Sequence, residues 1–214
     1  TYARIYGTSG KYYESSLTPM LFRSTIDSPL TPSRGTLYSA SLKYAGRFLG
    51  GEVDLIKPQL EFTHYQPFIG NQVIGLHARY QFITAVGGDS RVPYWEKFFL
   101  GGEQSIRGYE VYSIGPRDPN GYNLGGEKAF VFNAEYIIPV GGPLYFIGFY
   151  DRGNCVSRGE PLKIKDMYSS LGLEARIFVP ALRVPFRLIF SYNSKKIYAS
   201  DADFAFRFAV GTTF

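Results

Sequence analysis

The feature that most constrains the fold of this chain is a repeated alternation of apolar and polar residues. In the last run, Phe204, Phe206 and Phe208 share one predicted strand face, and Arg207 lies on the opposite face. Equivalent apolar rows run through residues 74–82, 130–138 and 171–179. Because successive side chains of a β-strand point to opposite sides, this period of two predicts strands with one apolar and one polar face.

Nine runs of this kind predict nine antiparallel strands, most of them near the 9–11 residues that a tilted strand needs to cross a bilayer. They lie at residues 17–26, 36–46, 52–65, 72–86, 128–139, 144–155, 168–179, 184–193 and 203–213. Weaker hints at residues 3–6 and 11–14 favour a tenth strand within residues 1–16, because bacterial barrels have even strand numbers.

Connection lengths distinguish two architectures that the alternation alone leaves open. A soluble β-sandwich turns its charged residues toward water, whereas a membrane barrel turns apolar residues toward lipid and polar ones toward its lumen. Short connections at 140–143 and 180–183 alternate with longer ones at 157–167 and 194–202, and a very long one covers 87–127. Short turns at one rim and long loops at the other favour an outer-membrane barrel. The sequence has no apolar run of about 18 residues, which excludes a helical membrane protein.

Composition and isolated residues argue against several other functions. The net charge of +5 comes from scattered basic residues, so no nucleic-acid patch is predicted. Cys155 is the single cysteine and forms no internal disulfide. His64 and His77 lack both metal-ligand spacing and a nucleophile in a catalytic context, although His77 is predicted to face the lumen. We therefore expect no enzyme activity, no metal and no cofactor.

The longest connection contains a Gly-rich stretch around one arginine. Gly101, Gly102 and Gly108 suit tight turns or close backbone approach, where a Cβ would clash. Arg107 stands between Ile106 and Gly108, among residues typical of packed surroundings rather than of a solvated loop tip. A buried guanidinium requires carboxylate partners, since an unpaired buried charge is costly. Loops of about 40 residues are usually functional or disordered, and this one contains the stretch around Arg107.

The run Ile106-Arg107-Gly108-Tyr109 resembles the VRGF/Y loop motif of the BamA-type outer-membrane assembly superfamily. The resemblance continues through residues 93–98 and 114–116 and covers about 17–214 in the family's order. It implies that Arg107 folds into the barrel lumen and pairs there with acidic residues on inner strand faces. Two segments resemble the strands that carry those residues, and they map the partners to Glu135 and Asp151.

The end of the chain resembles the terminal β-signal of outer-membrane proteins. The residues that carry this resemblance are Phe206, Phe208, Val210, Gly211 and Phe214. The resemblance implies that the last strand forms one side of a lateral seam, at which the C-terminal strand of a client protein would pair.

The resemblance implies an all-β, antiparallel transmembrane β-barrel, or the C-terminal part of a 16-stranded one, with about nine or ten strands present and the long loop in its lumen. Residues 1–214 would be a partial outer-membrane barrel domain without POTRA domains or N-terminal strands. The implied function is assembly and insertion of β-barrel proteins in the outer membrane of a Gram-negative bacterium. Unfolded clients, outer-membrane lipids and accessory lipoproteins would be the partners. A polypeptide transporter of the two-partner-secretion type and a passive pore are the alternatives.

Overall fold

The computed structural model describes residues 13–87, 91–180, 182 and 184–211, and within them strands are the main regular secondary structure. Eleven strands occur: β1 (Ser16–Leu17), β2 (Met20–Ser24), β3 (Gly35–Ala45), β4 (Leu55–Pro67), β5 (Val73–Phe82), β6 (Thr84–Ala85), β7 (Lys128–Gly141), β8 (Leu144–Val156), β9 (Tyr168–Val179), β10 (Val184–Asn193) and β11 (Phe204–Val210). Three short 3-10 helices lie at Arg47–Leu49, Tyr94–Glu96 and Ile164–Asp166. No helix among these described residues is long and apolar enough to cross a membrane.

All eleven strands belong to one antiparallel sheet. Its main path runs β1-β3-β4-β5-β7-β8-β9-β10-β11, while β2 also pairs with β3 and β6 with β4. In the described part of the chain, β11 pairs with β10 alone and no pairing joins it to β1 or β2, so the sheet is open. The prediction of an all-β fold with antiparallel strands is confirmed.

Two predicted strands are each divided in the structure. The run at 17–26 becomes β1 and β2, both paired with β3, because Pro19 lies between them and has no N–H to donate to a ladder. The run at 72–86 becomes β5 and β6, since the amide of Ile83 donates to the carbonyl of Glu127 instead. The hint at 3–6 lies outside the described residues. The hint at 11–14 lies partly outside them, and there Glu14 forms an isolated bridge with Gly51.

The sheet exposes apolar side chains on its outer face and buries charged side chains on its inner face, the reverse of a soluble protein. On the outer face, Leu173 is 69% exposed and Phe206 is 59% exposed. On the inner face, Glu174 is 1% exposed and Arg187 is fully buried. Single exposed apolar residues are ordinary, but a whole sheet face of them requires an apolar partner. The alternative of a soluble β-sandwich, which the alternation alone left open, is therefore excluded, since these rows do not pack against a second sheet in the described residues.

The long loop between β6 and β7 covers the inner face and has its own backbone pairing. Isolated bridges join Phe98 to Gly126 and Leu100 to Ile114. Phe98, Leu100 and Ile114 belong to a buried apolar cluster that also contains Ile106 and residues of the strands beneath. Cys155 on β8 lies under the loop, where its Sγ donates to the carbonyl oxygens of Ile114 at 3.1 Å and Phe98 at 3.5 Å. The loop is thus packed onto the sheet, with Arg107 near its centre.

Candidate functional site

The Arg107 side chain is fully buried and makes a two-pronged contact with Asp151 on β8. Its Nε donates to Oδ2 at 2.8 Å and its Nη2 donates to Oδ1 at 2.7 Å. The backbone N–H of Arg107 also donates to Oδ2 of Asp151, at 2.9 Å. Such fork-to-carboxylate pairs are among the strongest hydrogen bonds in proteins and define orientation as well as distance. Asp151 therefore specifies both the backbone position and the side-chain direction of Arg107.

The third nitrogen of the guanidinium, Nη1, binds two further carboxylates. It donates to Oε1 of Glu135 on β7 at 2.6 Å and to Oε2 of Glu174 on β9 at 3.3 Å. The ring of Phe149 lies against the guanidinium, with Cζ 3.8 Å from the ring centroid. Burial by itself would lower the pKa of Arg107, but Asp151 and Glu135 raise that pKa above its ordinary value. The side chain consequently remains charged.

Two more arginines complete the cluster on the inner face. Arg187 on β10 donates to both oxygens of Glu174, each at 2.8 Å. Arg176 on β9 donates to Glu174 at 2.7 Å and to Glu135 at 3.2 Å. The cluster therefore contains three guanidinium groups and three carboxylates, whose charges cancel. A buried charge is tolerated when it is paired and hydrogen-bonded. Every member of this set has an oppositely charged hydrogen-bond partner. We call these six residues the ion cluster: Arg107, Glu135, Asp151, Glu174, Arg176 and Arg187.

Further side chains extend this network toward β4 and β5. Asn133 donates to Asp151 at 2.8 Å and to the loop carbonyl of Ser105 at 2.7 Å. His77 is buried and lies within 2.9 Å of both Asn133 Oδ1 and Glu61 Oε1. Its two ring nitrogens are thus part of the hydrogen-bonded inner face, in line with the prediction that His77 faces inward. The described residues contain no group of metal-ligating side chains that would hold an ion.

The glycines of the motif occupy backbone conformations that L-residues rarely adopt. Gly101 and Gly102 have φ angles of +102° and +93°, and Gly108 has +91°. A Cβ on Gly108 would overlap Ser191 Oγ and Asn193 Oδ1 of β10. The glycine is therefore required for both its backbone angle and its close approach to the strand.

The residues after Arg107 bind the last two strands. The carbonyl oxygen of Gly108 accepts from Asn193 on β10 at 3.1 Å and from Arg207 on β11 at 3.2 Å. The Tyr109 hydroxyl donates to the carbonyl of Lys195 at 2.9 Å, in the connection between β10 and β11. The loop is consequently held at its centre by strands β7 to β11.

A second charged contact holds the beginning of the loop. Glu96 accepts from Lys43 on β3 at 2.8 Å and from Lys57 on β4 at 3.0 Å, and Lys57 also donates to the backbone carbonyl of Glu96. Lys43 forms a further ion pair with Glu14 at 2.6 Å. Burial alone would raise the pKa of Glu96, but the two lysines hold it below its usual value. We call Glu96 with its two lysines the base anchor.

The sequence motifs located some members of this site and missed others. The structure places Arg107 against Glu135 and Asp151, the two acidic residues assigned from the resemblance. The third carboxylate, Glu174, was not among the assigned residues, and its link to Arg107 depends on a strand register that no motif encodes. The partners not found were Glu174, Arg176, Arg187, Asn133, Arg207 and the base anchor.

The predicted terminal signal lies on the outer face of β11 as far as the structure describes it. Phe206, Phe208 and Val210 are all exposed there. Gly211 follows the strand with a φ of +115°. Phe214, the last member of the predicted signal, lies outside the described residues.

Comparisons with known proteins bear on both fold and function. A family model described as the Omp85 superfamily domain matches residues 2–214. The outer membrane protein assembly factor BamA of Nitratidesulfovibrio vulgaris (strain Hildenborough) is 38% identical over 160 residues, which are 72% of this chain and 20% of that protein. The Homo sapiens sorting and assembly machinery component 50 homolog is 33% identical over 132 residues, 62% of this chain and 28% of that protein. The chain therefore spans less than a third of the length of either relative.

A solved structure shares the fold. The crystal structure of BamA from Haemophilus ducreyi lacking POTRA domains 1-3 matches with a TM-score of 0.76 at 20% identity. The match covers 92% of this chain and 42% of that chain. The open sheet described above thus corresponds to part of a larger structure in that protein.

Proposed function

Because the chain belongs to the Omp85 superfamily, we propose that the protein inserts and folds β-barrel proteins in the outer membrane of a Gram-negative bacterium. The observation that carries the proposal is the 38% identity to an outer membrane protein assembly factor over 72% of the chain. The proposed work needs no covalent chemistry and no cofactor, since it consists of strand pairing and insertion. Its partners would be unfolded outer-membrane proteins, with accessory lipoproteins in the assembled complex.

The outer face of the sheet supports an integral position in the membrane. Exposed apolar side chains cover several neighbouring strands, among them Leu171 and Leu173 on β9, Phe190 on β10 and Phe206 on β11. Lipid chains cover such a face without an energetic penalty, whereas exposing it to water costs free energy. In this arrangement outer-membrane lipids are the direct neighbours of the outer face, and residues 1–214 are part of a barrel domain.

Within this function, the ion cluster acts as a latch for the loop. A buried ion pair contributes little to overall stability, because desolvation offsets most of the attraction. It does select one arrangement, since a shifted loop would leave Arg107 or its carboxylates unpaired. The Gly101–Gly102 turn and the Ile106–Tyr109 motif would therefore have one docked position on the inner face.

The last strand supplies the surface at which a client would pair. In the described residues β11 pairs with β10 along one edge, and its other edge is a place where a further strand can add. An extended client segment that adds to this edge would gain main-chain hydrogen bonds, a mode of binding known as β-augmentation. We propose that β11 forms one side of a lateral seam and that Phe206, Phe208 and Val210 face lipid while pairing proceeds.

The test is reconstitution of the full-length protein in liposomes, followed by measurement of the folding rate of an unrelated outer-membrane barrel. We expect faster folding than in protein-free liposomes of the same composition. Ion conductance without faster folding would instead indicate a passive pore. Passage of an unfolded polypeptide into the liposomes without barrel folding would indicate a secretion transporter. Either of these two results would contradict the proposed function.

A further inference from the structure

Three consecutive residues of the loop contact five adjacent strands. Arg107 binds carboxylates on β7, β8 and β9. The carbonyl of Gly108 accepts from Asn193 on β10 and from both Nη2 and Nε of Arg207 on β11, the latter two at 3.2 and 3.3 Å. Tyr109 binds the connection between these two strands. The loop therefore contacts the last strand in addition to the acidic strands that latch it.

Arg207 is the side chain through which β11 reaches the loop. The other inner-face residues of this strand are Ala205 and Ala209, whose methyl groups carry no donors. Arg207 presents a planar set of donors on a long stem, which suits a contact with a backbone oxygen some distance from the strand. Replacement of this one side chain would consequently remove the polar contact between β11 and the loop motif.

The contact between Arg207 and the Gly108 carbonyl adds to the pairing that holds β11 in the sheet. The strand pairs with β10 over seven residue positions and has no second strand neighbour in the described residues. The contact from the inner side adds to the seven-position pairing with β10, so both resist separation of β11 from the sheet.

We propose that Arg207 is a positioning residue that couples the docking of the loop to the order of the last strand. While Arg107 is latched, the Gly108 carbonyl holds the inner side of β11. When the loop undocks, this acceptor moves away and the strand loosens at the edge where a client would pair. The significance of the loosened edge for clients rests on the proposed function, whereas the coupling itself does not.

The experiment uses two reporters in the full-length protein in liposomes. Loop docking is followed by maleimide modification of the native Cys155, which lies beneath Phe98 and Ile114 and becomes accessible when the loop leaves. Strand order is followed by hydrogen exchange of the β11 amides that pair with β10. The variants are Arg207→Met, which keeps an apolar stem but removes the donors, Arg107→Lys, which removes the fork geometry, and the double variant. Lys196→Gln, at an exposed position of the β10–β11 connection, is the matched control.

Arg207→Met should accelerate β11 exchange about tenfold or more, the factor expected when a charged donor is lost. Because the docked loop loses the same contact, Cys155 modification should rise by no more than a comparable factor, and by less than in Arg107→Lys. Arg107→Lys should accelerate both modification and exchange. In the double variant, Arg107→Lys should add little to the exchange rate of β11, because Arg207→Met has already removed the contact between the strand and the loop. The control should change neither reporter. Unchanged exchange in Arg207→Met, or full addition of the two effects in the double variant, would overturn the coupling.

The same preparation separates this inference from the proposed function. If the wild-type protein fails to accelerate barrel folding while both reporters behave as expected, the assembly function is wrong and the coupling stands. If barrel folding is accelerated but exchange of β11 does not depend on Arg207, the coupling is wrong and the assembly function stands.

Discussion

Replacement of Arg107 by Ala should release the loop from the inner face. In the wild-type cluster three guanidinium groups balance three carboxylates, and the variant would leave two guanidinium groups against three. Removal of one partner from a buried ion pair costs about 3–5 kcal/mol, because the remaining charge stays desolvated. The cost falls on the docked loop alone, since water reaches the carboxylates once the loop has left. The docking equilibrium should therefore shift by roughly two to three and a half orders of magnitude.

Modification of Cys155 measures that shift directly. The residue is 2% exposed and its thiol donates to two loop carbonyls, so a maleimide reaches it only after the loop moves. The modified peptide is quantified by mass spectrometry in the full-length protein, and limited proteolysis between residues 98 and 116 serves as a second readout. Arg91→Ala is the matched control, because Arg91 is an exposed arginine of the same loop. A Cys155 rate in Arg107→Ala that equals the rate in this control would refute the latch.

Three further substitutions test separate parts of the site. Gly108→Ala should accelerate thiol labelling about tenfold or more, because the residue has a positive φ and a Cβ there would overlap side chains of β10. Glu96→Gln should expose the beginning of the loop to protease with little change in thiol labelling. Because the pKa of Glu96 is lowered, the wild-type base anchor should be fully present above the ordinary carboxyl pKa and be lost as pH falls through the lowered one, which proteolysis across pH can check. Gly172→Ala should raise thiol labelling, because the added methyl would lie 2.1 Å from the backbone carbonyl oxygen of Phe190 on β10 and 2.7 Å from the Phe149 ring that packs on the guanidinium. Gly148→Ala, at a glycine with open space, is its control.

The faces of the strands were predictable because alternation is a local property. Glu135, Asp151 and Glu174 each stand opposite an apolar row, and each lies on the buried inner face. The sequence alone does not state which of them meet, because that depends on the registers of β7 with β8 and of β8 with β9. In the structure Asp151 pairs with Asn133 on one side and with Ser170 on the other, which brings the three carboxylates around one guanidinium. The resemblance supplied two of these contacts because it carries information about a whole fold.

The base anchor shows a different limit of sequence reading. Its members Lys43, Lys57 and Glu96 stand far apart along the chain, and no motif or spacing links them. Only the course of the loop over the inner face brings Glu96 to the two lysines. Arg207 was likewise predicted to lie opposite the apolar row of β11, but its acceptor is a backbone carbonyl of the loop. Because every residue has a backbone carbonyl, the residue types do not indicate which one accepts.

Mutation of the ion cluster can be costly although the cluster opens reversibly. Mutation leaves buried charges without water, whereas opening of the intact loop hydrates them. Deletion of Arg107 leaves three carboxylates desolvated beneath a docked loop, with no water to replace the lost guanidinium. Departure of the intact loop instead exposes both Arg107 and the carboxylates to water in the lumen, and hydration then offsets most of the lost attraction. The price of undocking is therefore smaller than the mutational cost, and salt should reduce it further once the charges are exposed. A latch of this kind fixes one docked position tightly and yet permits release, provided that water can enter the space that the loop vacates.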